Sequence, residues 1–136
     1  MSRYFIAYAT TAIFFLGLDF VWLAKVAKRF YFDRLEHLML DTPRLGAAAG
    51  FYAMYVVGIV YFAVAPALRS DSLSYAMVNG ALFGFFAYAT YDMTNFATLR
   101  NWPLSVVLLD IAWGTLLTGV SAAFGFWLTR LFTGGA

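Results

Sequence analysis

Residues 103–129 read PLSVVLLDIAWGTLLTGVSAAFGFWLT, an apolar run broken by a single charge, Asp110. A helix needs about 20 mostly apolar residues to cross a hydrocarbon core of about 30 Å, and this run is long enough. Three further stretches match it, at about residues 4–24, 46–68 and 73–99. Lipid leaves no backbone polar group unpaired, so spanning structures are helices or closed barrels. Four runs cannot close a barrel. The chain is therefore expected to be all-α, a four-helix transmembrane bundle forming one integral membrane domain over residues 1–136. Pro43 and Pro103 fall where helices begin, which suits a first turn that needs no N–H. Pro66 falls near the end of the second run, where a lost backbone bond costs little.

Composition agrees. The chain is 63% hydrophobic and 12% charged, against about 25% charged in soluble domains. It has no cysteine and one histidine, His37, which excludes thiolate metal sites, disulfides, cysteine nucleophiles and bis-histidine haem within one chain. The net charge of +2 gives no reason to expect nucleic acid. Arg3 precedes an apolar run that no small-residue cleavage site ends, so that run reads as a retained first span.

The connection KVAKRFYFDRLEHLMLDTPRL, residues 25–45, differs from the runs around it. It holds Lys25, Lys28, Arg29, Arg34 and Arg44, and its Tyr31, Leu35, Leu38 and Met39 recur at helical spacing. A short amphipathic helix lying in the membrane interface is expected there. Lys25, Lys28, Arg29 and Arg34 are its candidates for lipid headgroups. The first and third connections carry Lys25, Lys28, Arg29, Arg34, Arg44 and Arg100, and the other side carries Arg3, Arg69 and Arg130. The positive-inside rule then puts the basic belt in the cytoplasm and both termini on the opposite side of the membrane.

Against this background three aspartates stand out: Asp19 in FFLGLDFVWLA, Asp92 in AYATYDMTNFATL and Asp110 in SVVLLDIAWGTLL. A charge near the bilayer centre costs roughly 2.5–3.5 kcal/mol on insertion scales, which makes each a functional-site hypothesis. With the first and third helices running inward and the fourth outward, all three lie roughly 8–11 Å below one surface at 1.5 Å per residue. Asp92 and Asn95 share a helix face at i,i+3, as do Asp19 with Trp22 and Asp110 with Trp113. Tyr52 and Tyr55 on the second helix fall at a similar depth. Asp92, Asn95, Asp19 and Asp110 are the catalytic candidates, and Trp22, Trp113, Tyr91, Tyr52, Tyr55 and Thr94 the binding candidates. Asp19, Asp92 and Asp110, with the Asn95 amide oxygen, are hard oxygen donors suited to a divalent cation such as Mg²⁺, Ca²⁺ or Mn²⁺. The plainer alternative is that the aspartates accept bonds from tryptophan, threonine or tyrosine and lock the bundle. Gly46 with Gly50 and Gly80 with Gly84 are small-xxx-small pairs that serve either internal packing or a homodimer.

The run TYDMTNFATLRNWP, with LDFVW before it and LLDIAWG after it, resembles a bacterial family of small four-span membrane proteins catalogued as domain of unknown function 2177. The resemblance covers nearly the whole chain and implies four helices in the bacterial inner membrane, with a pointer toward lipid chemistry. It singles out Tyr91, Asp92, Thr94, Asn95, Thr98 and Trp102, and gives none of them a catalytic role. The functional expectation is action on membrane lipids or acyl chains at the carboxylate pocket near the cytoplasmic leaflet. The alternatives are a small proton- or cation-coupled transporter and an assembly subunit without catalysis.

Overall fold

A computed structural model describes residues 2–134, which are helical throughout apart from short connections. Helix α1 (Ser2–Val21) passes through a wide π-turn at Trp22–Val26, closed by the Ala27 N–H donating to the Trp22 carbonyl at 2.7 Å. Helix α2 (Lys28–Leu35) follows, with a tight turn at Glu36–Leu38. Helix α3 (Leu45–Ile59), a second π-turn at Val60–Val64 and α4 (Ala65–Ser70) make one continuous rod. Helices α5 (Leu73–Thr98) and α6 (Leu104–Phe132) complete the chain. No strand occurs among the described residues, as the apolar runs require.

Local chemistry sets these boundaries. Pro66 has no N–H to give the Phe62 carbonyl, and the π-turn loosens the backbone where that bond is missing. Asp71, at φ 55°, takes the left-handed conformation that ends α4. Ser72 then caps α5 by accepting from the Tyr75 N–H at 3.1 Å. Pro103 precedes the first turn of α6, as its sequence position suggests.

Helix α6 is the centre of the bundle. It packs along α5 and, on another side, along α1. The α5–α6 contact is close because it is built on glycine. A Cβ on Gly84 would strike the Gly114 carbonyl and the Thr118 hydroxyl, and one on Gly80 would lie 2.7 Å from the Ala122 Cβ. The second rod leans on α1 along Leu45–Ile59 and closes on α5 only along Val60–Ser70. Aromatic side chains bridge the wider end. Tyr55 reaches Phe83 and Tyr88, at centroid distances of 5.1 and 6.2 Å.

The surface is apolar. Phe5, Ile13, Phe20, Met54, Leu108, Leu116 and Phe132 are among the large side chains left exposed. Water penalises such a surface and lipid does not. Three helical stretches are long and apolar enough to cross a membrane: Ser2–Val26, Leu45–Ser70 and Leu104–Phe132. Helix α5 equals them in length and is more polar. The expected amphipathic helix is shorter than its basic connection. Met39 lies beyond it in extended backbone, and Leu38 and Met39 are half exposed. Its apolar face rests on protein, with Phe30, Tyr31 and Leu35 packed on buried Trp102, Val106 and Val107. Two partly buried aromatic rings therefore hold this helix against the bundle as well as at the interface.

Candidate functional site

The three aspartates come from α1, α5 and α6 and converge below α2. Asp19 is buried and accepts two bonds: the Tyr52 hydroxyl donates to Oδ2 at 2.7 Å, and the Trp113 indole N–H donates to Oδ1 at 3.2 Å. Asp110 is half-buried and its Oδ1 accepts from the Tyr31 hydroxyl at 3.0 Å. The Tyr31 oxygen in turn accepts from the Trp22 indole at 3.4 Å. Trp22 and Trp113 stack face to face, with centroids 4.3 Å apart and planes 7° from parallel. The two indoles therefore join the Asp19 and Asp110 ends of one network. Each repeats the i,i+3 relation to its own aspartate that LDFVW and LDIAW contain.

Asp92 differs from the other two. It is fully buried, and among the described residues no donor reaches its carboxyl oxygens other than the Asp110 carboxyl, which can bond it only when one of the two holds a proton. Its carboxyl lies against that of Asp110. A buried polar atom without a partner is costly, so this carboxyl pair favours a proton held between the two groups. No group of three acidic or histidine side chains with metal-ligand spacing occurs among the described residues. Asp19 already has two donors on it, which leaves Asp92 and Asp110 as the pair with free oxygens.

A cavity of about 450 Å³ adjoins the pair, lined by Phe51, Tyr52, Ala87, Tyr88, Tyr91 and Asp110. It occupies the wedge where α3 stands off from α5. Phe51 and Tyr91, exposed by 49% and 55%, are at its mouth. Gly46 and Gly50 of α3 have nothing within 4 Å of a built Cβ, so that flank of the rod is open.

The remaining candidates divide. Tyr55 is buried but pairs with the Thr118 hydroxyl at 2.9 Å, away from the acids. Thr94 is exposed and bonds back to the carbonyls of Thr90 and Tyr91, and Thr98 does the same to Thr94. Asn95 is half-buried, with no side-chain bond among the described residues. Trp102 is buried against Tyr91, with rings 5.7 Å apart and nearly perpendicular. Lys25, Lys28 and Arg29 line a basic surface hollow with Phe32 and Asp33. Arg34 does not join them. Its Nε donates to the Ser105 hydroxyl at 3.0 Å and its guanidinium stacks 3.8 Å from the Phe30 ring, so it docks α2 on α6.

Tyr31, Tyr88 and Phe51 are site residues that the sequence reading passes over as site candidates. Tyr88 was detectable, since it sits one turn before Asp92 on the same face. Tyr31 has no local signal; it reads as one more apolar position of the interfacial helix. Burial and the Asp110 carboxylate beside it push its phenol above the ordinary tyrosine range, so it remains a donor.

The phrase around Asp92 and its flanks match a family model described as predicted membrane protein, DUF2177, over residues 4–127. The chain belongs to that family. The match covers α1 through most of α6 and so includes all three aspartates, both stacked tryptophans and the cavity walls. No curated protein and no solved structure matches the chain. The family's description carries membrane location and no activity, so the chemistry of the site rests on its geometry.

Proposed function

We propose that this membrane protein takes an amphiphilic lipid-like molecule from the bilayer into the α3–α5 wedge and presents its polar head to Asp92 and Asp110. The observation that carries this reading is the cavity itself. It has aromatic walls, a carboxylate at its inner end and a mouth on the apolar flank of the bundle. Pockets of roughly 300–1,000 Å³ with a few convergent polar groups are the usual form of small-molecule sites. The basic hollow at Lys25, Lys28 and Arg29 supports a cytoplasmic-leaflet location, because anionic headgroups attract each such residue by about 1 kcal/mol. We place the site in the inner leaflet of a bacterial inner membrane, with four helices crossing and both termini periplasmic.

A second reading has its own observation. Two carboxyls side by side in a buried site, one of them without a donor, suit a proton held between them that leaves when a cation arrives. In that reading the pocket exchanges its ligand for a proton and the protein is a coupled transporter. A divalent cation bridging Asp92 and Asp110 is the metal-assisted form of the first reading.

Both readings are tested by the same strains. A null mutant, wild type and Asp92→Asn are compared for whole-cell lipid profile and for resistance to lipophilic cations, with protein abundance matched. Lipid and metal retained by the purified protein are measured by mass spectrometry and elemental analysis. A lipid change restored by wild type but not by Asp92→Asn supports the lipid reading. A resistance change with the same pattern supports exchange. Full complementation by Asp92→Asn on both measures would leave the aspartates as bundle locks.

A further inference from the structure

The lining of the cavity narrows what it accepts. Five of its six lining residues set its chemistry: Phe51, Tyr52, Tyr88 and Tyr91 supply aromatic walls, and Asp110 supplies the only formal charge. No lysine, arginine or histidine lines it. Tyr52 commits its hydroxyl to Asp19, which leaves its ring to the cavity. Phe51 and Tyr52 rings are 5.7 Å apart and inclined by 58°, so they present two differently oriented walls. Asp110 has a protein donor on Oδ1 alone among the described residues. Asp92 is buried beside Asp110 and does not line the cavity.

We infer that the head group received by this pocket is an alkylammonium, caged by Phe51, Tyr52, Tyr88 and Tyr91 and neutralised by Asp110. The inference rests on the amphiphile reading and names its substrate class. Aromatic faces carry negative quadrupole potential and attract a cation within about 6 Å of the ring centroid. A phosphate, sulfate or carboxylate head meets the opposite: four aromatic rings, a carboxylate and no donor side chain other than hydroxyls. The tail leaves between Phe51 and Tyr91 toward lipid, where both side chains are exposed. An ammonium on a lipid and a free organic cation share this chemistry, and they differ in whether the tail is needed.

The test uses the full-length protein in nanodiscs of phosphatidylglycerol, which carries no ammonium. Binding of octyltrimethylammonium, octanoate, octan-1-ol and tetramethylammonium is measured by calorimetry. The expected result is that octyltrimethylammonium binds, octan-1-ol binds more weakly and octanoate does not bind. Asp110→Asn is expected to weaken the ammonium at least about tenfold while leaving octan-1-ol unchanged. Tyr91→Phe, which keeps the ring, retains ammonium binding, and Tyr91→Leu lowers it about tenfold. Tyr91 is exposed but its ring edge also meets buried Trp102, so ammonium binding by Tyr91→Leu is compared with its octan-1-ol binding, which a general loss of folding would lower as well. Octanoate or octan-1-ol binding as tightly as the ammonium would overturn the head-group assignment and leave the amphiphile reading standing. Tetramethylammonium binding as tightly as the octyl compound would keep the cage and remove the amphiphile. Failure of all four to bind would overturn both.

Discussion

Asp19 and Asp92 are both buried carboxyls, and the same substitution is expected to shift stability in opposite directions at the two. Asp19 accepts from two donors, one on each oxygen. Asparagine has one acceptor oxygen, and its amide would point N–H groups at the Tyr52 hydroxyl or the Trp113 indole. Asp19→Asn is expected to destabilise the bundle by about 1–3 kcal/mol, the cost of a buried donor left without a partner. Asp92 has only the Asp110 carboxyl beside it, which it can bond only by holding or sharing a proton. Asp92→Asn gives Asp110 an amide donor, so the variant is expected to be about 1 kcal/mol more stable than wild type while losing function. Thermal unfolding in detergent followed by fluorescence-detected size exclusion reads both signs. An unchanged or lowered midpoint for Asp92→Asn would mean that its carboxyl is satisfied by water or an ion. The positions of these residues are legible in the sequence because a charge in lipid has few explanations. Their unequal partners are not. The Tyr31–Asp110 bond joins residues 79 apart, and no periodicity reports a contact of that range.

The two small-xxx-small pairs look alike in sequence and have different uses among the helices. Gly80 and Gly84 lie against α6, where a Cβ meets Ala122 or Thr118. Gly46 and Gly50 lie on the outer flank of α3 with nothing within 4 Å. Gly84→Ala is expected to force α5 from α6 and cost about 1–3 kcal/mol, as overpacking does. Gly50→Ala is expected to be neutral or to stabilise by up to about 1 kcal/mol through helix propensity. Unfolding midpoints of the two variants side by side check the contrast. A large loss for Gly50→Ala, with a change in oligomeric mass, would instead put α3 in a contact between two copies of the chain. Glycine spacing reports that helices approach closely and does not say which ones. The same ambiguity attends α2. Its helical spacing is readable, but its docking on Trp102, Val106 and Val107 comes from the turn that starts α6, and its basic residues part company there. Arg34 is turned inward to Ser105 while Lys25, Lys28 and Arg29 face out.

At the scale of the whole molecule the deciding element is α5. The other three rods meet the length and apolarity of a span, and α5 matches them in length alone. Much of its polarity is satisfied within the helix. Asn79 donates to the Tyr75 carbonyl at 3.0 Å, Thr90 to Phe86 at 2.6 Å and Thr98 to Thr94 at 2.8 Å. A transfer scale charges each of these side chains as if it entered lipid unpaired, whereas a polar group bonded to its own helix costs far less. Asp92 faces the protein and is fully buried. Helix α5 also runs along α6, which is itself long and apolar enough to span. A helix packed beside a spanning helix over its length shares its crossing, so α5 is expected to cross. The chain has no cysteine, and single cysteines report sidedness without background. With an impermeant thiol reagent on intact cells, Ser74→Cys is expected to label from outside, and Glu36→Cys and Arg100→Cys only after the membrane is opened. Labelling of residues 36 and 100 from outside with residue 74 protected would invert the orientation and keep the bundle. Labelling of residues 74 and 100 from the same side would mean that α5 does not cross, and the α3–α5 wedge would then lie at the membrane surface, where an amphiphile could not enter it from lipid.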